Sequence, residues 1–514
     1  MLGSLLVTCV LALARYGQSL WLDETATVWF ARLPMAKLLL GRCDPHPPGY
    51  YLLLKAWQIL GENEAWLRLP SLFGAILAVP VTYQVGVRLA ARFHLEKAVQ
   101  EPAQTSAAKT ADNGKSVRWS FVVLVALLLA FHPMQTWYAS EARMYALAQC
   151  AGLVVVWFGL HLMVMSSDDR GGMSRALILY WLVTVLALLV GISTLLAWGV
   201  LQLLWLAHGR PRARLWLGSQ GAVLIPMLIL SMVPSQRQTL GQVHYSVFLA
   251  IQAARLGIDL TPSTAKWLLL AGLFGALSAA LLLAAFWRSL ARPLERSLVQ
   301  YLIFGAWLVL LVFAAIPRGF TLKRFLVVVL PYAALLVAHL LANRARLVQN
   351  AFVGLGLAAA VISVVTYQRE PWRTVIADWI RENGGREQVM WVDEDAVPAF
   401  DYYLRQSRAG AAAPTWTPLL GSDLPRLPLL APDPGDSLWL LMAENRYHRL
   451  IALLPAAFYE QYELMSQQHE NGIALYRFQR RLRRTPMALP PFARTRSDEW
   501  GLLVPSPLGN CAPQ

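Results

Sequence analysis

Long apolar runs separated by short polar connections fill the chain up to about residue 366. Runs near 1–16, 69–88, 119–135, 145–165, 176–191, 194–207, 215–233, 266–287, 298–316, 324–343 and 350–366 approach the roughly 20 residues a helix needs to cross a bilayer, and they predict about eleven transmembrane helices. The first run has no basic segment ahead of it and no small-residue cleavage site before Trp21, so it predicts a retained anchor and not a removed signal peptide.

Residues 17–68 form an unusually long connection among mostly short ones, and long ordered loops tend to carry function. Within it, ETATVWFARLPMAKLLLG and the Arg42 that follows set Val28, Trp29, Phe30 and Leu33 among Arg32, Lys37 and Arg42, which predicts a juxtamembrane helix with its apolar side to lipid. A second short segment, GYYLLLKAWQILG, has the Tyr and Trp of an interfacial belt. Residues 95–117 are polar and aperiodic and predict a flexible loop. After residue 367 the pattern changes. EPWRTVIADWIRENGG has helical spacing and ends in Gly-Gly, while QVMWVD, SLWLLM and IALYRF predict strands. The expected organisation is an all-α polytopic membrane domain over 1–366, a small outward-facing α/β domain over 367–481, and a Pro- and Arg-rich disordered tail over 482–514.

Composition agrees with this pattern. Of 514 residues, 57% are hydrophobic and only 15% charged, which excludes an ordinary soluble globular protein. The Arg-dense connections at 88–118, 170–175, 210–214, 288–296 and 344–346 alternate with those containing Asp23, Glu141, Gly191, Arg255 and Arg318. By the positive-inside rule the first set is cytoplasmic, so the Asp23 loop and the C-terminal segment face outward. The net charge of +15 is then topology signal and contact with anionic lipid, not a nucleic-acid footprint. The four cysteines show no CxxC or Cys/His metal spacing, and no Walker, HExxH or GxSxG sequence occurs.

Acids and bases near span ends on one side of a membrane call for a functional explanation, because a charge at mid-bilayer costs on the order of 2.5–3.5 kcal/mol. Here they are Asp23 and Glu24; Asp44 and His46; Arg68; Glu141 and Arg143; and Arg318, Lys323 and Arg324. Asp23 and Glu24 are adjacent, so they point about 100° apart on a helix; they are either a solvated loop start or one working base with a supporting partner. In CDPHPPGYY three prolines hold an extended backbone around His46, which is either a plain turn or a fixed imidazole for phosphate or metal. In HPMQTWYASEARMYALAQ, regular helix would place Trp137, Tyr138, Glu141 and Tyr145 on one face and Arg143 about 200° from Glu141; the alternative is an aromatic belt with compensated charges. In PRGFTLKRF, Lys323 and Arg324 oppose the positive-inside trend, which favours anion binding. GLFGA and GLGLAAA lie inside spans and signify helix packing.

In order, SLWLDE, DPHPPGYYLLLKAW, RLPSLFGAILAVPVTYQVG, WYASEARMYAL, PRGFTLKRFLVVVLP and PWRTVIADWI resemble the signatures of bacterial membrane glycosyltransferases of family 39 type. These are GT-C fold enzymes related to protein O-mannosyltransferases and lipid A aminoarabinose transferases, and the resemblance spans roughly residues 15–380. It implies transfer of a sugar from a polyprenyl-phosphate donor to a protein, lipid or glycan acceptor on the outer side of the plasma (inner) membrane, usually with inversion. By the same resemblance Asp23 is the catalytic base. Glu24, Asp44, His46, Tyr138, Glu141, Arg143, Lys323 and Arg324 are expected around the substrates. The sequence departs from the pattern at Gly49, where Leu is common, at GISTLLAW, which lacks a Thr-His pair, and at Phe325, where Tyr is common.

The chemistry fits: displacement at an anomeric carbon needs a base for the incoming hydroxyl and positive charge on the departing lipid phosphate. The carboxylates and His46 are compatible with a divalent metal but have no fixed ligand spacing. The competing class is a transporter or flippase of lipid-linked sugar; no internal repeat or pair of broken spans supports it.

Overall fold

The computed structural model describes residues 2–39, 46–100, 121, 123–164, 170–191, 193–207, 216–221, 223, 322–342, 344–383, 389–407, 415–419, 437–443, 454 and 456–481. They divide into two compact units, the first within Met1–Gly17, Leu39–Gly41 and Pro45–Tyr367, the second within Gln18–Leu38, Arg42–Asp44 and Gln368–Gln514. The helices of the N-terminal part are α1 (Leu2–Leu13), α2 (Leu22–Arg32), α3 (Met35–Leu39), α4 (Gly49–Gln58), α5 (Glu64–Gln100), α6 (123–130), α7 (Pro133–Ala139), α8 (Tyr145–Val164), α9 (Arg170–Val190) and α10 (Thr194–Ala207). The helices Leu322–Ala342 and Arg346–Thr366 also belong to the first unit.

Among the described residues four helices are long and apolar enough to cross a membrane, at Glu64–Arg88, Tyr145–Met163, Gly172–Val190 and Arg346–Thr366; Leu2–Leu13 is a shorter apolar helix. The spans expected at 266–287 and 298–316 lie outside the described residues. Where 95–117 was expected to be a flexible loop, α5 runs on to Gln100, and residues 101–117 are outside the described set. Inside the first unit α8 packs against α5, α9, α10 and Leu322–Ala342. Gly74 makes the α5 contact: a Cβ there would fall 2.7 Å from Leu147 Cα and 2.8 Å from Leu147 N, so only a glycine admits α8 this closely. Side-chain amides bind the bundle where apolar packing has no directionality. Gln135 donates to the Ala75 carbonyl (3.1 Å) and Gln149 to that of Val327 (2.6 Å), while Gln220 Oε1 accepts from Tyr180, Trp198 and Gln202. Leu77, Leu179, Leu182, Leu186 and Val365 remain exposed, as suits side chains that a bilayer covers.

The second unit holds a five-stranded sheet of order β2-β1-β3-β5-β4, with strands β1 (Val389–Asp393), β2 (Thr415–Leu419), β3 (Ser437–Ala443), β4 (Tyr462–Glu470) and β5 (Ile473–Arg480). β1 runs parallel to β2 and β3; β3/β5 and β5/β4 are antiparallel. β1, β3 and β5 lie where alternation and apolar runs predicted strands. β2 contains Pro418 and β4 is polar along most of its length, features of the two edges, and neither carried a strand signal. Trp391, Leu438, Leu440, Phe458, Tyr462 and Phe478 form the core beside the sheet. The β4–β5 turn has Asn471 and Gly472 at φ 37° and 92°, the positive pair that a two-residue hairpin requires. The helix Val397–Gln406 packs on α2, whose Val28, Trp29, Phe30 and Ala31 are buried. The apolar side of α2, expected to face lipid, is therefore covered by protein. α4 keeps a free side, with Leu53 exposed and Tyr50, Tyr51 and Leu54 buried, and Ile59 and Leu60 just after it are exposed too.

Candidate functional site

In the second unit, Asp23 and Glu24 occupy the first turn of α2, where the partial positive charge of a helix N-terminus favours carboxylates. Asp23 is 6% exposed and Glu24 fully buried, so the pair is not a solvated loop start. Glu24 Oε2 accepts the Trp21 backbone N–H at 3.1 Å, the reach-back that a glutamate three residues into a helix makes. The same oxygen takes a guanidinium N–H of Arg369 at 3.0 Å, in an ion pair whose side chains are both 1% exposed or less. Glu370 Oε2 accepts the Leu22 N–H at 3.1 Å and the Trp372 indole N–H at 2.6 Å. The backbone on the N-terminal side of Asp23 is thus held at two successive donors by carboxylates, and each carboxylate has a buried donor of its own. Tyr403 OH accepts from Leu20 N–H, and Thr27 Oγ1 donates to the Asp23 carbonyl at 2.8 Å.

In the first unit the expected residues gather around Tyr145. His46 and Tyr138 meet its ring edge-on, at centroid distances of 6.4 and 5.1 Å. The Arg143 guanidinium carbon stands 5.7 Å from the same ring, within cation–π range. Glu141 is buried beside them in sequence. The regular helix considered across 137–145 does not form. α7 ends at Ser140, whose N–H is shared by the carbonyls of Thr136 and Trp137 and whose Oγ also donates to Trp137 O, competing with helix continuation. Residues 141–143 then bend, with Arg143 N–H donating to Glu141 O at 2.7 Å, before α8 starts at Tyr145. The 200° separation of Glu141 and Arg143 on one helix therefore does not apply.

A hydrogen-bond relay fixes the bend: Ser71 Oγ donates to the Arg143 carbonyl at 2.7 Å and lies 2.9 Å from Tyr50 OH. Gly49, the departure from the family pattern, opens α4 against α9. A Cβ at Gly49 would fall 2.6 Å from the Leu189 carbonyl carbon, so no side chain fits there.

Asp44 and the side chains of Lys323 and Arg324 lie outside the described residues; Lys323 and Arg324 fall in the first turn of Leu322–Ala342. Among the described residues no three His, Cys, Asp or Glu side chains gather as a metal-binding group. Arg68 is buried and exchanges hydrogen bonds with Tyr16, its guanidinium to Tyr16 O and Tyr16 OH to Arg68 O, both at 3.2 Å. Arg15 was not anticipated: it is fully buried with its guanidinium carbon 4.3 Å from the Trp137 ring and 5.3 Å from that of Tyr367. An arginine closing the first apolar run was the available signal. Arg369 and Glu370 had no such signal.

No family model matches the sequence, and no curated protein does. Solved structures do match. ArnT from Cupriavidus metallidurans, solved bound to undecaprenyl phosphate and in the apo state, superposes with a TM-score of 0.53 at 14% identity, over 93% of this chain and 97% of that one. The chain has the GT-C fold. The archaeal oligosaccharyltransferase AglB from Archaeoglobus fulgidus, in complex with an inhibitory peptide and a dolichol-phosphate, matches with a TM-score of 0.49 at 12% identity, over 95% of this chain and 75% of that one. A GT-C fold and four apolar helices of spanning length make this a membrane protein. The helical membrane architecture expected from the apolar runs is met at that level.

Proposed function

We propose that the protein is an inverting glycosyltransferase of the inner membrane that moves a sugar from a polyprenyl-phosphate donor to an acceptor on the extracytoplasmic side. The observation that carries this is the burial of Asp23 at a helix N-terminus in a chain that shares the fold of ArnT, whose structure is bound to undecaprenyl phosphate. The arrangement of about eleven spans over 1–366, with 367–481 facing outward, belongs to the same proposal and rests on the loop charges. Asp23 takes the proton of the incoming acceptor hydroxyl. Charge on the departing phosphate is met by Arg143 and His46, with Lys323 or Arg324 from the start of Leu322–Ala342. Tyr138 and Glu141 bound the donor side, and Asp44 is assigned to substrate contact with them. Glu24 supports Asp23. One carboxylate acting as base fits inversion, where retention would need a second as nucleophile.

Membranes containing the protein are incubated with a radiolabelled polyprenyl-phosphate sugar and candidate acceptors. Acceptor-dependent loss of label from the lipid is expected, while relocation of intact lipid-linked sugar would instead identify a flippase. Asp23→Asn should express and insert normally but transfer nothing, and wild-type turnover in that variant would end the assignment.

A further inference from the structure

We infer that Arg369 and Glu370, braced by Asn471, position Asp23 for its proton transfer, so that the C-terminal segment controls the turnover of a base carried near the other end of the chain. This rests on Asp23 being the base.

The contacts form one line through the second unit. Asn471 Nδ2 donates to the carbonyls of Gln368 and Arg369, both at 3.1 Å, from a hairpin turn whose φ values are fixed by Asn-Gly. The braced segment extends Arg369 to Glu24 (3.0 Å) and Glu370 to the Leu22 N–H (3.1 Å). Glu24 in turn holds the Trp21 N–H at 3.1 Å. These are two of the N–H groups that a helix start leaves without intrahelical partners, and they belong to the two residues immediately before Asp23. The direction of the Asp23 side chain follows from that backbone. A buried ion pair is a poor device for stability alone, because an apolar pair of similar volume does as well or better. What the charged pair and its hydrogen bonds supply is a single geometry at the helix start. Ser19 Oγ, which accepts Arg373 N–H at 3.3 Å, and Tyr403 at Leu20 extend the attachment along the preceding residues.

The test separates geometry from stability in the full-length protein in proteoliposomes, using the radiolabelled polyprenyl-phosphate sugar on which the wild type turns over. The double variant Glu24→Leu with Arg369→Met replaces the pair by apolar groups. It should melt close to the wild-type temperature, the lost Trp21 N–H acceptor offsetting the gain from removing buried charge, yet kcat should fall about a hundredfold, the effect of a misplacement of about 1 Å, with donor KM within about twofold. Asn471→Gly keeps both positive φ values and removes only the brace; it should lower kcat several-fold at unchanged donor KM and melting temperature. Arg369→Lys keeps the charge and should recover most of the turnover that Arg369→Met loses. Wild-type kcat in the double variant and in Asn471→Gly, beside an inactive Asp23→Asn, overturns the positioning role alone. An active Asp23→Asn overturns the base assignment and the positioning role together. If the double variant does not fold, Asn471→Gly decides.

Discussion

The close contact of α5 and α8 gives a sharp prediction, because the residue that permits it lies three positions from Ser71, which holds the Arg143 bend. In Gly74→Ala the new methyl would sit 2.7 Å from Leu147 Cα, 2.8 Å from Leu147 N and 2.9 Å from Ala146 C. Carbon atoms in contact lie about 3.5–4.0 Å apart, so the methyl intrudes by about 1 Å. The atoms it meets are backbone and no rotamer can relieve the overlap, which leaves only a shift of one helix away from the other. Overpacking of this kind costs about 1–3 kcal/mol. Because the contact falls in the first turn of α8, the shift also moves Tyr145, around which His46, Tyr138 and Arg143 are arranged. Gly74→Ala should therefore melt earlier than the wild type in detergent and show raised KM for the lipid donor at a kcat/KM down about tenfold to a hundredfold. The effect should grow with side-chain size through Gly74→Val. A Gly74→Val protein with wild-type melting temperature and donor KM would refute the account of this contact.

Two further outcomes follow from named contacts. Ser71→Ala removes the hydroxyl between Tyr50 and the Arg143 carbonyl and leaves a buried acceptor without that donor, which should destabilise by about 1–3 kcal/mol and raise donor KM more than it lowers kcat; thermal unfolding and initial rates check both. Trp137→Leu withdraws the ring 4.3 Å from the buried Arg15 guanidinium, and in that desolvated setting should cost about 2 kcal/mol by the same unfolding assay; an unchanged melting temperature would show that the ring contributes nothing there.

The long apolar helices, the short helix α4, the helix after Pro371 and three of five strands were legible because each depends on spacing within a few residues. Whether 137–145 continues as regular helix stayed open in the sequence because the break depends on Ser140 competing for the Trp137 carbonyl, and a serine with ordinary helix neighbours does not announce that choice. The burial of α2 was misread for a different reason. VWFARL has the amphipathic look of an interfacial helix, and whether its apolar side meets lipid or protein depends on Val397–Gln406, far along the chain. The Gly49 departure has a plain steric origin that appears only when α9 is alongside.

The same distinction of distance explains why Asp23 could be picked out and its partners could not. Two adjacent carboxylates after an apolar run are a local signal, and the resemblance assigned them different roles. The proposed function keeps that division, and in the structure Glu24 turns back to the Trp21 N–H and to Arg369, 345 residues later in sequence. Arg369 and Glu370 read in sequence as the polar connection between an apolar run and an amphipathic helix, with charges that solvent would be expected to take. Instead both are buried, and each carries one of the two N–H groups ahead of Asp23, directly or through Glu24. A carboxylate whose orientation is set from the far end of the chain can be altered by substitutions that touch no substrate. Changes in Gln368–Trp372 or in the Asn471 turn should therefore appear as altered turnover before they appear as altered affinity.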